Sequence, residues 1–448
     1  MEKEQRNIFT AITLSVLVLI GFNYFYKSAK PQPTVEKPVV EKVEMPKSDT
    51  KTIILERQDA LSAVRRTHFE TDQYKGSIDT KTGRLDDLVL KTYKDTTDTK
   101  SENVAILNPL ETKNIEYLEF APKDIETSLN LPLVFEVVSS TGHQVRLKST
   151  SEQYDIERIY TFNENYRVHV EDLVTNKTNS LKKIQGYAVL FKLGTPLTHN
   201  VNILHEGAVG VLKGKLEEIS YKQLNKKSVF SKDTDEGWVG FTDKYFMTSL
   251  IFKGKARVEA ERIEGGYIIK SYASVKIVNP GETISIAYDV FSGPKELKVL
   301  EKIEAKERIN KFHLAVDFGW FYIITKPLFK LLTGLNKVFH NFGLSLIVVT
   351  ILLKLFMFPF AVKAHRSMKN VKMLQMKAEE IRAKYANDKV RQQQEILRLY
   401  QKENVHPTSG CLPILLQLPI FFALYKVLYV TIEMRQAPFF ITCEEAYS

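Results

Sequence analysis

The 448-residue sequence contains only two cysteines, Cys411 and Cys443, which are too few for a disulfide framework or a Cys-rich metal site. A Gly-rich phosphate loop, a nucleophile elbow and an internal repeat are also missing. His143, His199 and His205 are scattered without the spacing of metal ligands. We therefore expect no metal, no cofactor and no catalytic residue, and the chain is not expected to be an enzyme.

Asp86 and Asp87 are adjacent acids in a segment rich in short β-branched stretches. Paired carboxylates can perform acid–base catalysis, but adjacent acids occur far more often in exposed turns. We interpret this pair as a solvated turn. Trp238, in contrast, is expected to lie in a hydrophobic core.

Long apolar segments are few. The sequence has three, at residues 8–26, 342–362 and 411–431. Each is close to the roughly 20 residues that cross a bilayer as a helix. A cleavable signal peptide is the alternative for the first segment, but Lys27-Ser28-Ala29 places a lysine where cleavage needs a small residue. We predict a cytoplasmic tail and anchor at 1–26, a second transmembrane helix at 342–360 and a third at 411–432.

The net charge is +10, from 63 basic and 53 acidic residues, which on its own would also be typical of a soluble nucleic-acid-binding protein. The excess is concentrated in residues 361–410, which hold 11 basic and five acidic side chains. Short basic loops stay in the cytoplasm. This predicts a multi-pass membrane protein with residues 27–341 outside, in a periplasm-like compartment.

Residues 27–58 contain Pro31, Pro33, Pro38 and Pro46, and we predict a flexible linker there. From 59 to 310, short β-branched and aromatic segments alternate with turn signals. This pattern predicts a large antiparallel β-sandwich.

An amphipathic helix is predicted within 311–341, with Lys326, Lys330 and Lys337 on one side. The opposite, apolar side consists of Trp320, Ile324, Leu328, Leu331, Leu335 and Val338. Because a predicted span follows directly, we place this helix in the membrane interface, with Trp320, Lys326 and Lys330 as contact residues. Packing of the helix on the β-domain is the alternative.

Residues 361–410 are predicted to form a helical hairpin that turns at Asn387-Asp388. Its thin apolar seam is expected to consist of Met368, Val371, Leu374, Ala378, Ile381 and Tyr385 on the first helix and Val390, Leu397 and Tyr400 on the second. Its basic residues Arg366, Lys369 and Lys372 are candidates for contact with ribosomal RNA or another partner.

Lys354 lies near the middle of the second predicted span, about 16 Å along the helix from Gly343. A lysine there costs roughly 2.5–3.5 kcal/mol on insertion scales. We expect it to face a wet cavity, together with Thr350 one turn earlier, while snorkelling to the cytoplasmic edge is the alternative. In the third span, Gln417 is polar, and Lys426 is expected to snorkel to the outer edge.

Several segments resemble the core of the YidC/Oxa/Alb family, and the order of anchor, linker and β-rich domain is similar to its Gram-negative members. They are DFGWFYIITKPLFKLL (317–332), NFGLSLIVVTILLKLFMFP (341–359), RSMKNVKMLQ (366–375), HPTSGCLPILLQLPIFFALYKVL (406–428) and IEMRQAPF (432–439). The resemblance is highly specific over 311–440 and architectural over 27–300.

The resemblance implies a membrane protein insertase and chaperone that inserts and folds nascent inner-membrane proteins, alone or with the Sec translocon and its accessory subunits. It implies a hydrophilic groove whose positive residue, usually an arginine, falls at Lys354. Substrate contacts would fall at Thr350, Leu418 and Phe421, to which we add Gln417. A periplasmic β-supersandwich similar to carbohydrate-binding folds is implied for 59–310, and a ribosome contact of the hairpin would fit this function.

The sequence departs from the family after residue 439. We therefore expect a chain truncated or frameshifted after its third span, with an incomplete insertase core and an atypical periplasmic tail at 433–448. A chain that needs a partner to complete the helical bundle is the alternative. Two other functions stay open. One is a transporter subunit with Lys354 as a substrate or counter-ion site, and the other is a membrane-anchored carbohydrate-binding protein, which needs a polar–aromatic cleft with paired carboxylates.

Overall fold

The computed structural model describes residues 54–96, 98, 100–127, 129–131, 134–195, 204–226, 229–319, 322–402, 412–435 and 437. The predicted anchor at 1–26, most of the linker at 27–58 and the tail from 438 onward lie outside these residues. Both cysteines, His199 and Trp320 also lie outside them.

The described part of the chain forms two β-sheets in which paired neighbours run antiparallel. The strands are β1 (Arg66–Glu70), β2 (Tyr74–Asp79), β3 (Arg84–Lys94), β4 (Asn103–Leu107), β5 (Glu116–Asp124), β6 (Leu129–Asn130), β7 (Glu136–Ser140), β8 (Gln144–Thr150), β9 (Tyr154–Asn163), β10 (Arg167–Asn176), β11 (Lys182–Leu193), β12 (Gly207–Leu212), β13 (Lys215–Ser220), β14 (Val229–Thr234), β15 (Gly237–Thr242), β16 (Phe246–Phe252), β17 (Ala256–Ile263), β18 (Gly266–Val278) and β19 (Thr283–Pro294). One sheet has the order β1-β2-β3-β5-β11-β18-β17-β14, with β4 on β3 and β6 on β5, and the other has the order β13-β12-β15-β16-β19-β10-β9-β8-β7.

Strand β9 illustrates why these segments form a two-layer core. Buried and half-buried residues alternate along it, which is the period of a strand with one face on a core. Tyr160 of β9 lies opposite Val170 of β10, and both are fully buried. The predicted antiparallel β-sandwich is confirmed, and Trp238 lies in its core as predicted.

The interpretation of Asp86 and Asp87 as a solvated turn is wrong. Both lie within β3, and both side chains are buried. A bulge in the pairing of β2 with β3 lets these consecutive carboxylates enter the interior. Arg66 pairs with Asp86 and Arg57 with Asp87. Burial raises the pKa of Asp86, although Arg66 opposes the shift.

The helices follow the strands, apart from two short ones. They are α1 (Arg57–Ser62), α2 (Tyr221–Leu224), α3 (Leu297–Glu307), α4 (Tyr322–Phe339), α5 (Phe342–Lys384), α6 (Lys389–Lys402) and α7 (Leu412–Val430), with 3₁₀ turns at Phe312–Ala315 and Ile432–Met434. Leu297, Leu300 and Ile303 of α3 are buried in the core of the β-domain. This helix therefore belongs to the β-domain and leads the chain toward α4.

Helix α4 corresponds to the predicted amphipathic helix, and its predicted apolar side is only partly buried. Its buried residues are Thr325, Leu328, Phe329, Leu332 and Thr333. Three apolar residues of the helix are exposed: Leu331 at 38%, Val338 at 70% and Ile323 at 86%. Because residues turn by about 100° each, Leu331 and Val338 lie roughly 120–140° from the centre of the buried side. The helix therefore packs part of its apolar surface on α5 and α7 and leaves an apolar ridge of Ile323, Leu331 and Val338 exposed.

Helix α5 runs without interruption for 43 residues, so the predicted boundary at 360/361 is not a helix end. Its first turn is capped by Asn341, whose side chain accepts a hydrogen bond from the Leu344 amide at 2.9 Å. Pro359 lies inside the helix. Within the described residues, Phe342–Val362 is the one segment long and apolar enough to cross a membrane, and Gln417–Val430 of α7 is apolar but shorter. The other two spans stay predictions.

Helix α6 returns beside the end of α5. The Asp388 carboxylate accepts a hydrogen bond from the Arg391 amide at 3.0 Å, and Gln392 Nε2 donates to the Arg382 carbonyl at 2.7 Å. Leu374 and Ala378 of the predicted seam are buried, whereas Val390 and Leu397 are exposed, so the predicted place of these two in the seam is wrong. Ile396 and Leu399 are half-buried, because these positions face α5.

Candidate functional site

Lys354 lies on α5, about 18 Å along the helix from Phe342 and about 12 Å from Val362. Its side chain is exposed and makes no hydrogen bond or ion pair with any residue that the structure describes. Thr350, one turn earlier, is half-buried, and its hydroxyl donates to the Leu346 carbonyl at 2.8 Å. The predicted site therefore presents a free ammonium and a hydroxyl already bonded within its own helix.

The surface around Lys354 is apolar and exposed. Ile351, Leu355, Phe356 and Phe358 all have more than half of their surface accessible. Within the candidate span, the fully buried residues Ser345 and Val349 lie in the first turns of α5. An extended lysine side chain covers roughly half of the distance to Val362. Lys354 is thus a single cation within an apolar helical surface.

Helix α7 presents a buried side and an open side. Ala423, Val427 and Val430 are buried. The open side contains Gln417, which is exposed, together with Leu418 and Phe421, which are 43% and 60% exposed. The Phe421 ring meets that of Phe422 edge-on at 5.9 Å.

Helix α4 packs against both α5 and α7 and holds the two candidate surfaces on one helical unit. Among the described residues, no hydrogen bond or ion pair joins Lys354 to α7. The structure thus places the predicted substrate-contact residues on open sides of two helices, and it does not enclose them in a cavity within the described part of the chain.

Lys426, which was expected to snorkel to the outer edge, forms an ion pair at the β-domain, and its place relative to a membrane stays a prediction. Its ammonium lies 3.0 Å from Asp317 Oδ2, and the same oxygen accepts a hydrogen bond from the His205 amide at 2.9 Å. Burial would raise the pKa of Asp317, but Lys426 and the His205 amide stabilise the carboxylate and lower it. Burial lowers the pKa of the nearby Lys295 to about 8, although Asp317 opposes the shift. These contacts attach α7 to the β-domain.

The basic residues of α4 face the β-domain as well as solvent. The Lys326 ammonium lies 2.9 Å from Glu301 of α3, and that of Lys330 lies 3.8 Å from the same carboxylate. Trp320, the third predicted interface residue, lies outside the described residues. The structure therefore brings Lys326 and Lys330 together on one acid of the neighbouring helix.

The predicted contact residues of the hairpin, Arg366, Lys369 and Lys372, lie on the continuous helix α5. Their side chains are outside the described part of the structure. The helix places their backbone positions beyond Val362, the end of the candidate span.

Two polar cavities were not anticipated from the sequence. One, of about 510 Å³, is lined by Tyr93, Glu296, His340 and Glu433 among others, and Tyr93 donates to Glu296 at 2.6 Å. Burial and the neighbouring Glu296 raise the pKa of Glu433 to about 7. Neither this cavity nor any other group of acids, histidines and cysteines in the described residues forms a candidate metal site.

The second cavity, of about 530 Å³, lies in the β-domain and is lined by Phe69, Glu70 and Asp87 among others. The Phe69 ring is buried and stacked on Phe162 at 3.7 Å, and Asp87 is paired with Arg57. Glu70 is paired with Lys91 at 2.8 Å, so the aromatic face and both acids are already engaged. This lining does not favour the carbohydrate-binding alternative.

Comparison with known proteins identifies relatives along the chain. Residues 66–331 match the family model of the YidC periplasmic domain, and residues 334–445 match that of the 60Kd inner membrane protein. The membrane protein insertase YidC of Rickettsia felis is 35% identical over 457 residues, with 97% of this chain and 81% of the relative covered. That of Rickettsia bellii is 36% identical over 459 residues, with the same coverage.

Solved structures give weaker similarities. An active YidC insertase with its first transmembrane domain resolved has 19% identity and a TM-score of 0.31, over 83% of this chain and 73% of that one. A galactose mutarotase related enzyme from Lactobacillus acidophilus has 12% identity and a TM-score of 0.37, over 51% of this chain and 97% of that one. Structural similarity at these TM-scores does not support a conclusion about function.

The two Rickettsia relatives are named for membrane protein insertion and not for a catalysed reaction. The expectation that the chain is not an enzyme is confirmed on that ground, as is the resemblance stated from the sequence. The identity and coverage place the sequence within a family of inner-membrane proteins. The chain belongs to the YidC family of membrane protein insertases.

Proposed function

We propose that this chain inserts nascent membrane proteins into the inner membrane by attracting their polar tails to Lys354. The observation that carries the proposal is an exposed ammonium, without a partner among the described residues, in the middle of an apolar helix. In a bilayer such a charge is stable only where it meets water or a counter-charge. An acidic tail of a substrate entering from the cytoplasm supplies that counter-charge.

The remaining predicted residues fit successive steps of the same process. Thr350 and Lys354 line a hydrophilic groove, which shortens the apolar distance that the tail crosses. Leu418 and Phe421 then contact the apolar segment of the substrate, with Gln417 at the polar margin. The segment moves into lipid because its apolar surface is removed from water there.

The proposed topology follows the loop charges. The anchor, Phe342–Val362 and α7 span the membrane, the hairpin lies in the cytoplasm and the β-sandwich lies in the periplasm. Arg366, Lys369 and Lys372 contact the ribosome that delivers the nascent chain. The Sec translocon and its accessory subunits are the proposed partners for larger substrates, and α4 lies in the membrane interface.

Replacement of Lys354 tests the proposal. In vesicles reconstituted with the full chain, Lys354→Ala should reduce insertion of a substrate with an acidic translocated tail about tenfold, which corresponds to about 1.4 kcal/mol of lost attraction. Insertion of the same substrate with a neutral tail should stay near the wild-type rate. Lys354→Arg keeps the charge and should retain activity, and Lys384→Ala, on the same helix beyond the span, is the matched control.

Two outcomes would contradict the proposal. Wild-type insertion of the acidic-tailed substrate by Lys354→Ala would show that the charge does not attract the tail. An equal loss for acidic and neutral tails would assign the lysine a structural role instead.

A further inference from the structure

A groove of about 220 Å³ lies between α3 of the β-domain and α4, at a place that the insertion mechanism does not use. Its lining includes Lys298 and Glu301 from α3 and Phe329, Lys330, Gly334 and Lys337 from α4. Three of these six residues are lysines and one is an acid. The groove is therefore a positively charged depression with an aromatic residue in its wall.

The charge of this groove is only partly balanced by the protein. Glu301 is held at 2.9 Å by Lys326, which lies outside the groove lining, and Lys330 approaches the same carboxylate only to 3.8 Å. Lys298 and Lys337 are exposed and make no ion pair with any described residue. Lys298 and Lys337 are thus available to an anion, and Lys330 is held only by a long contact with Glu301.

Gly334 leaves room for that anion. A Cβ atom added there would meet no other atom within 4 Å, so the space beside this lining residue is open. Glycine lowers helix stability by about 1 kcal/mol relative to alanine. The open space beside Gly334 would accommodate a ligand, which would offset the cost of a glycine inside the helix.

The position of the groove identifies the source of the anion. The exposed apolar ridge of Ile323, Leu331 and Val338 follows the same helix, and Lys337 precedes Phe342, the start of the candidate span, by five residues. An apolar ridge beside lysines is the arrangement of a helix in the lipid interface, where acidic headgroups attract basic side chains. This step rests on the interface position of α4 proposed above.

We infer that the groove between α3 and α4 binds the headgroup phosphate of an anionic phospholipid. The lysines at 298, 330 and 337 surround the phosphate, while the acyl chains lie along Ile323, Leu331 and Val338. The bound lipid joins the β-domain to the interfacial helix, since the groove has one wall from each. The charge complementarity of a −1 headgroup and three lysines selects this occupant over a zwitterionic lipid.

Lipid retention by the full chain in detergent tests this inference without requiring insertion activity. Native mass spectrometry would titrate the chain with dioleoylphosphatidylglycerol and, separately, with dioleoylphosphatidylcholine. The anionic lipid should bind at least about tenfold more tightly, and Lys330→Gln/Lys337→Gln should weaken its binding by about 10- to 30-fold. Lys302→Gln/Lys306→Gln, with the same charge change on exposed residues of α3 outside the groove lining, should bind like the wild type.

Two further variants distinguish a defined lipid-binding site from nonspecific electrostatic attraction and from misfolding of the variant. Gly334→Leu fills the groove without changing any charge and should also lose the anionic lipid, while Lys330→Arg/Lys337→Arg should retain it. Equal affinity for both lipids, or an equal loss in the two lysine pairs, would overturn the inference. Displacement of the lipid by millimolar inorganic phosphate would assign the groove to a free anion and would overturn it as well.

The same variants keep this inference separate from the proposed function. Lys354→Ala should retain the anionic lipid, because its side chain does not line the groove. Failure of Lys354→Ala to affect insertion would therefore contradict the function and leave the lipid titration unchanged.

Discussion

Glu433 follows α7 and lies half-buried in the wall of the cavity that also contains Glu296. Burial and Glu296 raise the pKa of Glu433 to about 7, from an ordinary value of 4.5. Between these two values the folded chain binds a proton that the unfolded chain has released. Stability contributed by this group is therefore highest below about pH 4.5, falls as the pH rises to about 7 and stays low above that.

Glu433→Gln should remove this dependence. Above about pH 7 the variant should be more stable than the wild type by up to about 3 kcal/mol, because the amide needs no proton to remain neutral. Near pH 4.5 the difference should shrink. Thermal unfolding in detergent at the two pH values measures the effect, and Glu136→Gln, on the exposed strand β7, is the control. An equal shift at both pH values would contradict the role of the proton.

Individual residues were predictable where composition alone decides their surroundings. Lys354 could be placed near the middle of a span because an uninterrupted apolar run determines where the helix crosses. Lys426 could not be interpreted in this way, since its partner Asp317 lies 109 positions earlier in the chain. Asp86 and Asp87 were missed for a related reason, because a bulge in the pairing of β2 with β3 decides that both face inward.

At the scale of secondary-structure elements, alternation along the strands was sufficient to predict the sandwich. For α4 the same kind of argument identified the apolar positions but not which of them are buried. Periodicity identifies apolar positions on a helix, but it does not tell how many of them meet a neighbour. Leu328 is buried, whereas Leu331, assigned to the same side from the sequence, lies on the exposed ridge.

The turn between α5 and α6 gives a prediction at this scale. Asp388→Ala removes the acceptor for the Arg391 amide and should destabilise the start of α6 by about 1 kcal/mol. Trypsin should then cut near Lys389 and Arg391 about fivefold faster in limited proteolysis. Asp388→Asn, which also caps a helix, is the matched control. Unchanged cleavage in Asp388→Ala would mean that α6 is held by its packing on α5 alone.

At the scale of the whole molecule, the pair of Asp317 and Lys426 joins the helices to the β-domain. Both side chains are mostly shielded, at 17% and 12% exposed. Lys426→Met leaves a carboxylate without its cation and should lower the free energy of unfolding by about 2–4 kcal/mol. Because the pKa of Asp317 is lowered, this contribution is present at neutral pH and is lost as the pH falls through the lowered value.

A double-mutant cycle separates the pair from the packing of its methylene groups. Asp317→Asn/Lys426→Met should be more stable than Lys426→Met alone, because no buried charge remains unpaired. Thermal unfolding of the full chain in detergent measures all four proteins. Additive losses would show that the two residues do not interact energetically.

Because α5 is continuous from Phe342 to Lys384, a small tilt of the helix displaces its far end by several ångströms. About 33 Å of helix separate Val362 from Lys384, so a tilt of about 10° carries Lys384 roughly 6 Å sideways. A displacement too small to resolve at the apolar end becomes large where α6 begins. A pair of spectroscopic labels on the hairpin and the β-domain would therefore report a small tilt of α5 as a large change in the distance between the labels.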